Sequence, residues 1–303
     1  MKYLFVACLL CLSVLSAVAK VPAMNKIRLT NNWEYLKGDL GGIWEAVRPA
    51  APGSSEAVPI WQPVTLPHCF NAEDAVDPDV NYYEGPGWYK TLLAIDNPYR
   101  NGRIVLDFDG AGQKTDVYVY TTHVGSHVGG YDSWNVDITD AVKAFLGSKD
   151  AERFKGKVPL SIRCDNSRDL EMIPSDLADF NIYGGLYRYL NLVYLPEVSF
   201  EQIHLESSLS SNLKEGILKV KTSFYNPEDI RKADVTVSVY DVDRKPVFSK
   251  TLEGILPLGD QLLAKMKIKN PVLWDVDVPQ LYTCELTVKP PDQTFTTEER
   301  FGF

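Results

Sequence analysis

Residues 103–120 read Arg-Ile-Val-Leu-Asp-Phe-Asp-Gly-Ala-Gly-Gln-Lys-Thr-Asp-Val-Tyr-Val-Tyr. Arg103–Phe108 and Asp116–Tyr120 are short runs rich in β-branched and aromatic residues, and Gly110 and Gly112 lie between them. Such runs fit a pleated, half-buried surface, and glycine supplies the turn, so the stretch predicts two strands. Trp88–Ile95 upstream reads the same way. Helical periodicity is nearly absent. The best candidate is Thr139–Leu146, where Thr139 or Asp140 could cap a turn or two carrying Val142, Phe145 and Leu146 on one side. Many short strands with regular turn signals predict an all-β sandwich or barrel rather than a βαβ fold.

Beyond Leu195-Pro196-Glu197 the alternation becomes plain, as in Gly216–Phe224 and Ala233–Tyr240. The stretch from there to about Val288 has room for seven strands, the size of an immunoglobulin-like sandwich. Asn226-Pro227-Glu228-Asp229 and Asp243-Arg244-Lys245-Pro246 are turn chemistry that favours hairpins. A length of 303 residues, 45% hydrophobic and 23% charged, fits two globular domains.

Residues 1–19 read as a signal peptide. Lys2 gives the positive start, Leu4–Val18 is an almost unbroken apolar run, and Ala17-Val18-Ala19 is a cleavage signal before Lys20. The run is short for a membrane anchor, which needs roughly 20 apolar residues, so an exported, periplasmic or secreted chain without a membrane span is expected. Cys69, Cys164 and Cys284 then remain, too scattered for a disulfide framework or zinc site, and read as small buried hydrophobes. Loss of Lys2 moves the net charge from −9 to about −10. Such a chain repels phosphate backbones, which argues against nucleic-acid partners.

Several weak motifs occur in series. They are Trp61–His68 with its Leu66-Pro67-His68 corner, Glu84–Lys90, Phe108–Gly112, the return Val124–Tyr131 with Val136–Thr139, Leu160–Asn166, Asp179–Arg188, Pro271–Trp274 with Pro279–Tyr282, and Arg300–Phe303. In this order and spacing the set resembles the N-terminal region of glycoside hydrolase family 2, and its Leu-Pro-His version is most similar to the β-galactosidases. The resemblance covers nearly all of the mature chain.

It implies a jelly-roll, galactose-binding-like sugar-binding sandwich over 20–196 and an immunoglobulin-like β-sandwich over 197–295. Residues 296–303 would begin the linker to a catalytic TIM barrel. A barrel needs roughly 250 residues and none follow Phe303 here, so the chain is expected to be the non-catalytic portion of a retaining β-glycosidase, truncated or complemented by a separately encoded barrel. The family's two catalytic glutamates, about 5 Å apart, belong to the barrel. The competing reading is a stand-alone carbohydrate-binding or structural module. Carbohydrate, as a β-glycoside, is the expected partner, and no cofactor is expected except sodium or magnesium in a complete enzyme.

The resemblance also places Asp179 on a sandwich loop that enters the barrel mouth, binds hydroxyls of the terminal sugar and is a candidate sodium ligand, with Asp176 its competitor. Asn81 is a second substrate-binding candidate on a flanking loop. A carboxylate suits the task because it accepts charge-assisted hydrogen bonds from neighbouring hydroxyls. Other residues read as structural. Glu73, Asp74, Asp77 and Asp79 fit a solvated loop, and Gly129, Gly130, Gly184 and Gly185 fit bulges or turns. Arg188 fits a partner for a buried acid, and no nucleophile motif accompanies His68 or His127. One departure from the family pattern is Thr121-Thr122-His123 where Asn-Gly is usual, which predicts a three-residue or irregular hairpin loop.

Overall fold

The computed structural model describes residues 21–49, 59–175, 177–226, 232–290 and 294–303. The leader expected at 1–19, Asp176, and the Asn226–Asp229 turn beyond Asn226 lie outside them. The chain forms two compact units. The first is Ala23–Gln202 with 223–229, and the second is 203–222 and 230–303 with the strand ending at Pro22.

The first unit stacks two antiparallel sheets. One has the order β4 (Gln62–Val64), β3 (Trp33–Lys37), β5 (Pro86–Leu93), β10 (Val158–Asp165), β7 (Lys114–Val119), β8 (Thr122–Val128). The other has the order β2 (Asn25–Arg28), β11 (Leu190–Leu195), β6 (Arg103–Phe108), β9 (Trp134–Asp137). Sequence neighbours such as β5 and β6 fall in different sheets, as a jelly roll requires. In β7 the buried positions alternate, which is the period-2 pattern of a strand with one face in the core. In β6 and β11 burial is nearly continuous. Leu106, Phe108, Leu160, Ile162, Leu190 and Tyr194 are core residues between the sheets.

The helix predicted at Thr139–Leu146 is present as α2, after the single turn α1 (Trp44–Val47), and packs on β6, β7 and β10. Its cap differs from expectation. Asp137 Oδ1 accepts the Thr139 N–H at 2.9 Å, while Thr139 Oγ1 accepts the Ile104 N–H at 2.8 Å. Asp137 therefore satisfies the helix end, and Thr139 ties the helix to β6.

The hairpin after Val119 also differs. Val119 pairs with Thr122, so the turn has two residues, and the irregularity appears in the strand, where Val117 pairs with Gly125 and Tyr118 with His123. Tyr120 holds φ at +55°. Its ring packs edge-on or tilted against Trp44, Phe145 and Phe154, so tertiary contact offsets a conformation that tyrosine seldom adopts.

From residue 199 onward come the predicted seven strands, displaced toward the C-terminus, and all but one end of each of the first two lie in the second unit. They are β12 (Ser199–Leu209), β13 (Glu215–Tyr225), β14 (Ala233–Tyr240), β15 (Pro246–Ile255), β16 (Gly259–Lys269), β17 (Tyr282–Lys289) and β18 (Phe295–Phe301). Three form a sheet in the order β12-β13-β16, and the other sheet is β18-β17-β14-β15 with β1 (Val21–Pro22) on its edge, parallel to β18. Strict alternation of buried and half-exposed residues in β13 and β14 gives each sheet one core face. Residues 296–301, expected as linker, belong to β18, paired along its length with β17 because Phe295 and Phe301 face the core.

Candidate functional site

Two long loops leave the first sandwich, residues 65–85 between β4 and β5 and residues 166–189 between β10 and β11. Their bases form one structure. The His68 N–H donates to Leu186 O at 2.8 Å and the Phe70 N–H to Gly184 O at 3.1 Å, so the Leu-Pro-His corner pairs with the Gly-Gly segment. This contact requires glycine. A Cβ on Gly184 would lie 2.2 Å from the Phe70 ring, and Gly185 has φ at +108° with Tyr89 Oη 2.4 Å from where its Cβ would stand.

Three buried asparagines lock the loops together. Asn71 is 1% exposed and Asn166 0%. Asn71 Nδ2 donates to Asn181 Oδ1 and to Ile182 O, both at 2.9 Å, while its Oδ1 accepts the Gly184 N–H at 2.9 Å. Asn181 Nδ2 returns a bond to Asn71 O at 3.1 Å. Asn166 Nδ2 donates to Tyr83 O at 2.8 Å and Ile182 O at 2.7 Å, and its Oδ1 accepts the Gly85 N–H at 2.9 Å. Each amide replaces water for backbone groups that no strand pairs, which is why such loops can be buried at their base.

Asp179 is exposed in the second loop and Asn81 is exposed in the first. Neither takes part in the buried ties, which leaves both side chains at the surface of a braced loop pair. Arg168 holds the backbone on both sides of Asp179. Its Nη1 donates to Ala178 O and its Nη2 to Phe180 O at 3.2 Å, while Nε pairs with Glu84 Oε1 at 2.6 Å. Among the described residues no group of three or more His, Cys, Asp or Glu is placed to hold a metal ion.

The remaining singled-out residues have structural roles. Asp74 Oδ2 accepts the Tyr83 N–H at 2.7 Å, and Asp77 Oδ1 accepts the Asp79 N–H at 3.0 Å. Among the described residues Arg188 meets no buried acid. It donates to Tyr131 O at 2.7 Å and to Asp109 O at 3.3 Å. The His127 ring stacks on Trp134 at 4.8 Å, and its Nε2 lies 3.1 Å from Asp132. Trp33 and Trp88 are core residues. The three cysteines are free thiols, Cys164 and Cys284 buried and Cys69 half-buried. A concavity of about 820 Å³ lies elsewhere on this unit, lined by Arg103, Asp137, Asp140, Lys143, Glu197 and Tyr225. Arg103 there is engaged by Glu201, by Ser199 at 3.0 Å and by the Tyr225 ring at 3.5 Å, and no lining residue comes from either loop.

His68 sits under the loop base with Nδ1 2.8 Å from the hydroxyl of buried Tyr89. Burial lowers its pKa. The unfolded chain thus takes up the proton first as pH falls, near the ordinary value of 6.5. Stability that is full above that value is lost below it, down through the folded value. Replacing His68 by Gln should flatten the stability profile of the first unit between pH 7 and 5, by at most about 1.4 kcal/mol per pH unit for one proton. Denaturant melts at several pH values measure this, and identical slopes for both proteins would refute it.

A jelly-roll sandwich with a braced loop pair, followed by an immunoglobulin-like sandwich, defines the class of two-sandwich modules found within glycoside hydrolases. The chain belongs to glycosyl hydrolase family 2, since residues 39–196 match that family's sugar-binding domain and residues 198–303 match the domain that bears the family's name. It is 28% identical to a β-glucuronidase of Bacteroides fragilis over 74% of this chain and 32% of that protein. It is 23% identical to a β-galactosidase of Thermoanaerobacter pseudethanolicus over 83% of this chain and 31% of that one. The structure of β-glucuronidase 3 from Bacteroides uniformis superimposes with a TM-score of 0.85 at 51% identity, covering 93% of this chain and 35% of its own. The chain thus spans about a third of the length of these relatives.

Proposed function

We propose that these residues are the N-terminal, non-catalytic portion of a retaining β-glycosidase of the β-glucuronidase type, and that Asp179, flanked by Asn81, forms part of its glycone-binding edge. The observation that carries this reading is the exposed carboxylate on a loop whose base is fixed by three buried asparagines. A carboxylate held in place can accept hydrogen bonds from two neighbouring sugar hydroxyls without first losing loop entropy. The preference for glucuronide over galactoside rests on the 51% identical β-glucuronidase of Bacteroides uniformis, and replaces the galactosidase leaning of the Leu-Pro-His motif. The acid/base and nucleophile glutamates come from a barrel outside these residues, and export follows from the leader at 1–19.

The isolated chain should not hydrolyse aryl β-glucuronides or aryl β-galactosides. Joined to the remaining two thirds of the Bacteroides uniformis relative, it should support hydrolysis of the glucuronide in preference. Turnover by the isolated chain, purified from a host without β-glycosidases, would sink the non-catalytic reading. Preference of the joined enzyme for galactoside would sink the choice of sugar.

A further inference from the structure

The stretch around Asp179 is not held by its own packing. Met172 and Ile182 are buried, but between them Ile173 is 88% exposed, Leu177 86% and Phe180 53%, so these apolar side chains contribute little burial to order it. The structure assigns that task to Arg168, which we propose to be the positioning residue for Asp179. The proposal rests on the glycone-edge reading given above.

A guanidinium presents its donors in a rigid plane, and three of them reach acceptors placed around Asp179 and on the other loop. Nη1 and Nη2 take the carbonyls of Ala178 and Phe180, which are the peptide oxygens on either side of Asp179. Nε is held by Glu84 Oε1 at 2.6 Å, from the other loop. Glu84 is itself placed by the buried network, because the next residue, Gly85, donates its N–H to Asn166 at 2.9 Å. Arg168 follows Asn166 by two residues. A continuous path of bonds therefore runs from a fully buried amide through Glu84 and Arg168 to the backbone of an exposed carboxylate.

The Arg168–Glu84 pair is partly exposed and contributes little to global stability. Its consequence is local order, and an ammonium cannot reproduce it, since one nitrogen cannot span two carbonyls and a carboxylate in this plane. Arg168→Lys keeps the charge and loses the fork.

Amide hydrogen exchange on the 303-residue chain tests this directly. Arg168→Ala and Arg168→Lys should both raise exchange at residues 177–181 about tenfold or more, while the amides of β5 and β10 and the melting temperature stay unchanged. Glu84→Gln, which keeps an acceptor oxygen, should give a smaller rise. In the enzyme completed as above, Arg168→Lys should lower kcat/KM about tenfold. Unchanged exchange in the loop, or full rescue by lysine, overturns the proposal. A loosened loop with full activity also overturns it if Asp179→Ala is inactive. If Asp179→Ala is fully active too, the glycone-edge reading has failed, and the loosened loop still supports Arg168 as its anchor.

Discussion

Replacing Asp179 by Ala is expected to lower kcat/KM on the glycoside about 100-fold in the completed enzyme and to leave the fold intact. Asp179 is exposed and its side chain holds none of the ties at the loop base, so its removal costs little stability. What is lost is a pair of hydrogen bonds to a charged acceptor, worth roughly 3 kcal/mol and hence about two powers of ten in rate. Asp179→Asn should fall between, because the amide keeps one acceptor oxygen and loses the charge. Asn81→Ala should have a smaller effect, since a neutral side chain forms weaker bonds. Steady-state kinetics on an aryl glycoside decide the matter. Full activity of Asp179→Ala beside an inactive Asp176→Ala would transfer the role to Asp176.

The opposite pattern is expected at Asn71. Its side chain satisfies the Gly184 N–H, Ile182 O and the Asn181 amide, all at the buried base of the loops. Alanine would leave the Gly184 N–H and Asn181 Oδ1 without partners and without water, at about 1–3 kcal/mol for each group left unpaired, while Ile182 O keeps its bond from Asn166. A loss of about 3 kcal/mol is a conservative sum, and for a unit of this size it lowers the melting temperature by roughly 10 °C. Activity should fall as well, but only because the loop loses its floor. Calorimetry on the isolated chain measures the effect, with Asn81→Ala as the surface control. A melting temperature within a degree or so of the parent would show that water enters the base and replaces the amide.

The two residues separate function from architecture within one site. Asp179 is dispensable to the fold and central to the proposed binding, whereas Asn71 touches no substrate in the proposed reading and is central to the fold. Arg168 stands between them. Its loss should leave the melt unchanged and still be felt at the carboxylate.

The sequence by itself determined the strands, because a strand's pattern is local. Alternating burial in β7, β13 and β14 follows directly from side chains that point to opposite faces at successive residues. The helix at Thr139–Leu146 and the two-sandwich class were legible for the same reason, and the ordered motif series was legible as family membership. Local chemistry failed where distant groups intervened. The packing of Tyr120 on Trp44, Phe145 and Phe154 compressed the hairpin to two residues, and the aromatic ends of β18 drew residues 296–301 into a sheet. The brace beneath Asp179 was invisible for the strongest form of this reason. Asn71 and Asn181 meet across 110 residues of chain. An asparagine in a loop ordinarily signals a solvated turn. Only the folded backbone, with carbonyls and amides left unpaired at one buried point, turns three such residues into the floor of the proposed site.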